Sequence, residues 1–334
     1  MSQLKRQSVL FISPAFFGYE ISIKVAIEEN GYEVDFIDER TSNKSLLKAM
    51  FRANKALLAG LINRYYKKIL KKIKGKEYDY FLLIKGEVIP EWFIIEFKTV
   101  NPGARLIYYT YDSFKNNNSN STAILKHFDT CYSFDFEDVK RNKALKLKHL
   151  FYTREFVANP ASDSKREYTI SFVGTLHSNR YSTIKRLFQN FENTFTFYFL
   201  PAKWWFLFQK LSKRAHKKIK RSEVSFDKLS RQQVADIFKS SKSVLDIQRF
   251  GQTGLTMRTF EVLAAGAILI TTNPYIKTAD FYDPDKIIVL EENDLSVATA
   301  KIQHKIDKAD FKANAVDKSF EQYFVNNWVN EFFE

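Results

Sequence analysis

A loop with two glycines, followed by a helix, is the part of this sequence whose spacing best suggests a binding site. Residues Ser243–Thr272 predict an apolar strand, a loop with Gly251 and Gly254, a helix that Thr256 would cap, and a second apolar strand. Free N–H groups at a helix N-terminus attract anions, and Glu261 could accept hydrogen bonds from ribose hydroxyls. The segment therefore predicts a binding site for a nucleotide diphosphate. The alternative is an ordinary strand–helix–strand unit with Glu261 in solvent, because a glycine loop alone is a weak signal.

Two arginines, Arg249 and Arg258, flank the glycine loop. Guanidinium groups can hold phosphate oxygens bidentately, which would replace a divalent metal ion as the stabiliser of a diphosphate. An Asp-x-Asp pattern occurs at Asp283–Asp285, but it follows no suitable predicted strand. We therefore expect phosphate binding without a metal ion and without any other cofactor.

Polar and flexible residues also follow two predicted strands near the start of the chain. Gly18 comes after the strand Ser8–Ile12, and Lys85 with Gly86 comes directly after the strand Asp79–Ile84. Ligands of open α/β sheets bind beyond the carboxyl ends of the strands. Gly18 would allow another group to approach closely, and Lys85 would meet a phosphate or an acidic acceptor. Plain turns are the alternative at both places.

Two aspartates follow the next predicted strands. Asp112 comes after Arg105–Tyr109, and Asp135 ends the strand that begins at Thr130. Asp112 is the first candidate for a general base, because a carboxylate within hydrogen-bond distance can remove a proton from an acceptor hydroxyl. An Asx turn or a helix cap is its alternative. For Asp135 we expect a helix cap rather than an acid at a domain interface.

The whole chain alternates apolar strands with helical segments, which is typical of doubly wound α/β domains. Its 334 residues are long for one domain and sufficient for two. The polar segment Asn159–Glu167 is the best candidate for a linker. The single cysteine, Cys131, excludes internal disulfides and is expected to be a buried apolar residue.

The helix after the glycine loop carries a motif that points to a family. Residues Arg258–Gly266 read R-T-F-E-V-L-A-A-G, which resembles the pattern R-[ST]-F-E-x-L-A-x-G of CgeB-like and lipopolysaccharide-biosynthesis glycosyltransferases of the GT-B fold. The segments Tyr111–Asn116 and Gly174–Arg180 are also similar to this family. In the large retaining families a second glutamate precedes the motif, and Gly254 stands there in this chain. The catalytic roles of those families are therefore not carried over.

This resemblance implies two Rossmann-like domains that face each other across a cleft. Residues 1–158 would form the acceptor domain and residues 159–315 the domain for the nucleotide-sugar donor, with Glu261 near the ribose. Residues 316–334 would form a helix that packs back on the first domain. We therefore expect a GT-B fold.

The loop after the predicted strand Thr169–Val173 is similar to the family's donor loop. There the resemblance implies that Gly174 lets the donor approach and that Arg180 faces phosphate. His177 could donate to a phosphate or exchange a proton near neutral pH, since its charge changes in that range. A surface histidine and a structural salt bridge of Arg180 are the alternatives.

Basic residues are in excess and cluster in two helical segments. The chain has 52 Lys and Arg against 38 Asp and Glu. The clusters are Lys67–Lys76 and Lys210–Arg221, the second preceded by Trp204 and Trp205. Basic helices beside tryptophans favour an anionic membrane surface, whereas a solvated helix face and a core segment are the alternatives. We expect a cytoplasmic protein on the inner face of the membrane, because no apolar run is long enough for a signal peptide or a membrane span.

Taken together, the motifs predict a metal-independent glycosyltransferase. It would move a sugar from a nucleotide-sugar donor to a lipid-linked or lipopolysaccharide glycan, a capsule or a similar acceptor. A non-catalytic module that binds nucleotides or glycans is one alternative. A basic nucleic-acid-binding protein is a weaker one, because no nucleic-acid module accompanies the charge.

Overall fold

The computed structural model describes residues 6–40, 58–115, 120–158, 166–175, 180–204, 206, 219–249, 251–290, 295–311 and 318–334. The chain divides into two compact units. Unit 1 consists of Met1–Leu150 with Val325–Glu334, and unit 2 consists of Phe151–Phe324. Each unit contains its own six-stranded sheet.

Unit 1 is built on a parallel sheet with the strand order β2-β1-β3-β4-β5-β6. Helices on both faces of such a sheet require strands that are apolar on both sides, and residues Val9–Ile12 of β1 are fully buried. The elements are β1 (Ser8–Ser13), α1 (Tyr19–Glu29), β2 (Glu33–Asp38), α2 (Ala59–Ile73), β3 (Tyr80–Ile84), α3 (Glu91–Val100), β4 (Arg105–Thr110), α4 (Asn120–Ala123), β5 (Thr130–Ser133), α5 (Phe136–Arg141) and β6 (Leu145–Leu147).

Unit 2 is also built on a parallel sheet, with the order β12-β11-β10-β7-β8-β9. This order is that of a Rossmann fold. The elements are β7 (Tyr168–Thr175), α6 (Arg180–Phe188), β8 (Thr194–Phe199), β9 (Val224–Ser225), α7 (Arg231–Lys239), β10 (Ser241–Asp246), α8 (Met257–Ala264), β11 (Ile268–Thr271), β12 (Ile287–Val289) and α9 (Leu295–Lys308).

The C-terminal helix α10 (Val325–Asn330) belongs to unit 1. Its Trp328 lies edge-on to Tyr109 of β4, with 5.1 Å between the ring centroids. The indole N–H of Trp328 donates to the carbonyl of His149 at 2.7 Å, and Lys148 forms an ion pair with Glu331. Trp328, the aromatic residue of this helix, is therefore buried against the sheet of unit 1.

The unit boundaries differ from the division that the sequence suggests. Residues 151–158 lie in unit 2 rather than in the first domain, because Ala158 N–H donates to the carbonyl of Ala264 at 3.0 Å and Phe156 packs on Phe238. The chain before α10 also stays in unit 2, where Tyr152 N–H donates to the carbonyl of Tyr323. Only Val325–Glu334 of the expected C-terminal segment joins unit 1.

Two residues that the sequence predicts as local structure are confirmed. Asp135 caps α5, and its carboxylate accepts from the N–H groups of Glu137 and Asp138 at 3.1 and 3.3 Å. Cys131 is buried, and burial raises the pKa of its thiol to about 11. Both residues therefore have the structural roles that the sequence predicts.

Candidate functional site

Each sheet has one place where the strand order reverses. In unit 1 the reversal lies between β1 and β3, and in unit 2 between β7 and β10. Open α/β sheets bind ligands at such points, beyond the carboxyl ends of the strands. Most of the residues predicted from the sequence lie in or after these four strands: Gly18, Lys85, Gly86, Gly174, Arg180, Arg249, Gly254, Thr256 and Arg258.

In unit 2 the guanidinium of Arg180 joins the ends of the two central strands. It donates to the carbonyl of Thr175 at 3.3 Å and to the carbonyl of Ile247. The first carbonyl ends β7, and the second follows β10. These two bonds fix the Arg180 guanidinium at the switch point of the unit 2 sheet.

Arg258 lies at the same switch point, beside Gly174. Its guanidinium donates to the carbonyl of Val173. A Cβ atom at Gly174 would come within 2.9 Å of the Phe172 ring and 3.4 Å of Nη1 of Arg258. The glycine is therefore needed for the approach of the chain's own side chains.

The electrostatics of this end of unit 2 favour an anion. Burial lowers the pKa of Arg180, the Asp246 carboxylate opposes this shift, and the guanidinium groups of Arg258 and Arg249 add to it. Three cations thus act on one another around one buried carboxylate. Arg249 is exposed. A bound anion would relieve the repulsion between the three guanidinium groups.

The glycine loop is held by side-chain amides from two strand ends. Nδ2 of Asn273, which follows β11, donates to the carbonyls of Thr253 and Gly254 at 3.1 and 3.4 Å. Nε2 of Gln248, which follows β10, donates to the carbonyl of Gly254 at 3.4 Å. Gly251 has a φ of +81°, which suits glycine. The loop conformation is therefore set by the neighbouring strands.

Thr256 is the N-cap residue of α8, as the sequence predicts, but its side chain does not cap the helix. The hydroxyl donates instead to Oδ2 of Asp246 at 2.7 Å. The N–H groups of the first turn are thus left to the backbone or to a ligand. In the second turn, Glu261 is only 3% exposed. The alternative that places Glu261 in solvent is therefore wrong.

In unit 1, Lys85 and Asp112 come together at the carboxyl edge of the sheet. Nζ of Lys85 lies 3.4 Å from Oδ2 of Asp112 and 3.5 Å from Oε2 of Glu87. The lysine side chain is 12% exposed and that of Asp112 is 35% exposed. The structure therefore forms a charged cluster from two strand ends, with one carboxylate accessible.

Backbone conformations with positive φ surround this cluster. Lys85 has a φ of +77° and Gly86 a φ of +64°. A Cβ atom at Gly86 would lie 3.0 to 3.1 Å from Ile124, Leu83 and Tyr108. A residue with a side chain, such as Lys85, adopts a positive φ only at a cost in conformational free energy. Backbone strain of this kind is concentrated at functional sites.

Gly18 has a different part in unit 1. Its φ of +80° allows the turn into α1. The preceding Phe17 also has a positive φ, of +55°, and is 57% exposed. The ring of Phe16 stacks on Tyr111 with 5.1 Å between the centroids. The Gly18 turn thus brings exposed aromatic rings next to the residue that precedes Asp112.

Several expected residues fall outside the part that the structure describes or outside the site. His177 and Trp205 are among the residues not described, as are residues 207–218 of the second basic segment. Trp204 is 68% exposed, whereas Phe206 is buried.

Within the described ranges, no group of three or more His, Cys, Asp or Glu side chains is arranged to hold a metal ion. In the same ranges, no helix has the length and apolar character needed to cross a membrane.

Glu39 and Arg40 are not among the candidates that the sequence predicts. Both follow β2, and Arg40 forms an ion pair with Glu87 at 2.9 Å. Glu39 is fully buried. The strand-end rule that selected Lys85 also applies to β2 and would have found them.

A known family matches the C-terminal part of the chain. Residues 206–334 match a family model described as "Glycosyl transferase-like". That segment contains the glycine loop, Arg249, Arg258 and Glu261. No curated protein matches the sequence.

Solved structures resemble the chain over nearly its whole length. The HepE protein of Anabaena, crystallised in complex with UDP-glucose, has a TM-score of 0.62 and 10% identity, with 98% of this chain and 99% of that chain covered. A glycosyltransferase from Rickettsia africae gives 0.62 and 12%, with 98% and 97% covered. The UDP-GlcNAc 2-epimerase of Neisseria meningitidis, bound to UDP-GlcNAc, gives 0.56 and 8%, with 98% of both chains covered.

At these identities the likeness shows the fold. The chain has the GT-B fold, with two Rossmann-like units, which confirms the expected fold class. The narrower resemblance to CgeB-like and lipopolysaccharide-biosynthesis enzymes stays a prediction.

Proposed function

We propose that this protein is a glycosyltransferase whose nucleotide-sugar donor binds at the carboxyl edge of unit 2. The main support is the position of Arg180, which joins the ends of β7 and β10 at the switch point, with Arg249 and Arg258 close enough to affect its pKa. The family match over residues 206–334 covers the glycine loop and two of these arginines. The fold is one on which both HepE and the Rickettsia enzyme are built.

The diphosphate of the donor would lie between the arginines and the first turn of α8. Negative charge develops on the leaving nucleoside diphosphate as the bond to the sugar breaks. Fixed cations and N–H groups aimed at that charge lower the barrier, because they need no reorganisation. Three guanidinium groups supply this stabilisation without a metal ion, and Glu261 would accept from the ribose hydroxyls.

The acceptor would bind to unit 1, with Asp112 as general base. Asp112 has the accessible carboxylate of the cluster, and the ammonium of Lys85 at 3.4 Å orients it. A base in this position removes the proton of the acceptor hydroxyl as the new bond to the sugar forms. His177 is the second candidate for acid–base chemistry. Gly18 and Gly86 shape the backbone on either side.

The acceptor that we propose is a lipid-linked glycan of the cell surface, such as lipopolysaccharide or capsule, at the cytoplasmic face of the membrane. Helix α2 supports this proposal. It buries Ile62, Tyr66, Ile69 and Ile73 and exposes lysines on the opposite face. Such a face, together with the exposed Trp204, would attract anionic lipid.

A calorimetric titration with UDP, GDP, ADP and CMP tests the donor site. One of them should bind to the wild-type protein, and Glu261→Ala should weaken that binding by roughly 10-fold, as expected for a lost hydrogen bond to a charged group. The proposal fails if none of these nucleotides binds. If the protein is instead a non-catalytic module, it should bind the nucleotide but release no nucleotide from the matching nucleotide sugar.

A further inference from the structure

Glu39 is a buried carboxyl group that the proposed reaction does not use. It follows β2, and its side chain is fully buried. Oε1 accepts from the N–H of Val88 at 2.5 Å. The backbone carbonyl of Glu39 accepts from the hydroxyl of Tyr66 at 3.1 Å. The carboxyl group therefore links β2 to the turn that follows β3.

The second oxygen of this carboxyl group is in an unusual position. Oε2 of Glu39 is buried, and no described residue forms a hydrogen bond with it. An ionised carboxylate would place negative charge on this oxygen without a partner. Burying a charge without pairing is far more costly than burying a neutral polar group. The geometry therefore favours the neutral, protonated acid.

The charged side chains around Glu39 already form ion pairs with one another, in equal numbers of positive and negative groups. Arg40 pairs with Glu87 at 2.9 Å, and Lys85 lies 3.5 Å from Glu87 and 3.4 Å from Asp112. These are two cations and two anions. An ionised Glu39 would add a third anion to the cluster and would compete with Asp112 for Lys85.

Three tyrosines also lie within electrostatic range of Glu39, and their hydroxyls stay neutral. Tyr66 lies on α2, Tyr108 on β4, and Tyr111 follows β4. Burial is the main cause that raises the pKa of each hydroxyl, and an ionised Glu39 would add to it. Among the described residues that act on Glu39, only Arg40, Lys85 and Glu87 therefore carry charge.

The turn that Glu39 holds contains Lys85. Four contacts hold its unusual backbone. Lys85 N–H donates to the carbonyl of Tyr109 at 2.8 Å, and Val88 N–H donates to Glu39. The Tyr108 hydroxyl donates to the carbonyl of Lys85 at 2.8 Å, and the Ser121 hydroxyl donates to the carbonyl of Gly86 at 3.3 Å. The positive φ of Lys85 persists only because such contacts determine it. Loss of the contact from Glu39 would therefore loosen the turn that carries the Lys85 ammonium group beside Asp112.

We propose that Glu39 is a positioning residue that acts as a neutral carboxylic acid and keeps the Lys85 ammonium on Asp112. Burial and the neighbouring Glu87 raise the pKa of Glu39 to about 7, against the effects of Val88 N–H, Arg40 and Lys85. Above that pH, the Glu39 carboxylate draws Lys85 away from Asp112. Only the catalytic consequence of this change rests on the proposed function.

Infrared pH-difference spectroscopy tests the protonation state directly. The wild-type protein should keep one protonated carboxyl band up to about pH 7, and Glu39→Gln should lack it. Glu20→Gln is the matched control, because Glu20 is also buried in unit 1 and also accepts a backbone N–H, that of Phe16 at 2.9 Å. This control should keep the band. The proposal is overturned if the wild type shows no such band, or if the band persists in Glu39→Gln.

Trace labelling of Lys85 with acetic anhydride, measured by mass spectrometry, tests the positioning role. The reactivity of Lys85 in the wild type should show a step near the pKa of Glu39, about 7, which Glu39→Gln lacks. In Glu39→Ala the turn loses the hydrogen bond from Val88 N–H to the Glu39 side chain. Labelling of Lys85 should therefore rise several-fold at every pH. A purely structural role would give superimposable curves for wild type and Glu39→Gln, which would overturn the proposal. Neither measurement needs a donor, so failure here is distinct from failure of nucleotide binding in unit 2.

Discussion

Lys85 and Asp112 lie 3.4 Å apart, measured from Nζ to Oδ2, although they follow different strands of the unit 1 sheet. Register explains the contact, because β3 and β4 are parallel neighbours with Ile84 opposite Tyr109. The residues after the two strands therefore emerge side by side. This pair is the centre of the proposed acceptor site.

Replacement of Asp112 by Asn should reduce glycosyl transfer by roughly 100- to 10,000-fold, the usual contribution of a general base. Nucleotide binding should not change, because the proposed donor site lies in unit 2. The measurement is the release of nucleoside diphosphate in the presence of donor and acceptor. Asp129→Asn is the matched control, because Asp129 precedes β5 and so lies at the amino edge of the same sheet. Equal loss in both variants would contradict the role of Asp112.

Replacement of Gly174 by Ala should lower the free energy of unfolding by about 1–3 kcal/mol, as overpacking does. The reason is the Cβ position, 2.9 Å from the Phe172 ring and 3.4 Å from Arg258. Urea unfolding measures the change. Gly60→Ala is the control, since nothing lies within 4 Å of its Cβ position and alanine favours a helix by up to about 1 kcal/mol. An undiminished stability of Gly174→Ala would show that the packing is looser than described.

The stability of the protein should depend on pH through Glu39. Its pKa rises from 4.5 to about 7 on folding, so the folded state binds more protons than the unfolded state between these values. The free energy of unfolding therefore falls as pH rises through this window, by up to about 3 kcal/mol. Urea unfolding of wild type and Glu39→Gln at several pH values isolates this contribution. If both proteins show the same slope, Glu39 does not titrate as described.

Removal of basic charge from α2 should weaken binding to anionic vesicles. Lys67 and Lys71 lie on its exposed face, and each charge near an anionic surface contributes about 1 kcal/mol. The double variant Lys67→Gln/Lys71→Gln should therefore bind phosphatidylserine vesicles roughly 10- to 30-fold more weakly in a flotation assay. Vesicles of phosphatidylcholine alone are the control. Undiminished binding, or tighter binding to single-stranded DNA than to vesicles, would favour a different partner.

The strands were the most predictable part of the fold. The apolar runs Ser8–Ile12 and Asp79–Ile84 correspond to β1 and β3, because strands covered on both faces must be apolar throughout. The short strands β6 and β9 were not predicted. They have three and two residues at the sheet edges, with little buried side chain to form a pattern.

The site was predictable as a set of positions but not as a set of contacts. The strand-end rule selected Lys85 and Asp112, and the family resemblance selected Arg180. The Thr256 hydroxyl donates to Asp246 instead of capping its helix. This contact depends on the distance between β10 and α8, which the sequence does not show. The burial of Glu39 likewise depends on the tertiary packing of unit 1, which no local pattern encodes.

Nucleotide affinity of Arg249→Ala is the most direct test of the central claim. Arg249 is exposed, so its loss should leave the fold intact, whereas Arg180 and Arg258 also hold backbone carbonyls. The control is Arg186→Ala, an exposed arginine on α6, the helix that Arg180 begins. We predict that calorimetry with the nucleoside diphosphate that binds the wild type shows affinity reduced by roughly 10- to 100-fold in Arg249→Ala and unchanged in Arg186→Ala. Equal affinity in the wild type and both variants would contradict a diphosphate site at the carboxyl edge of unit 2.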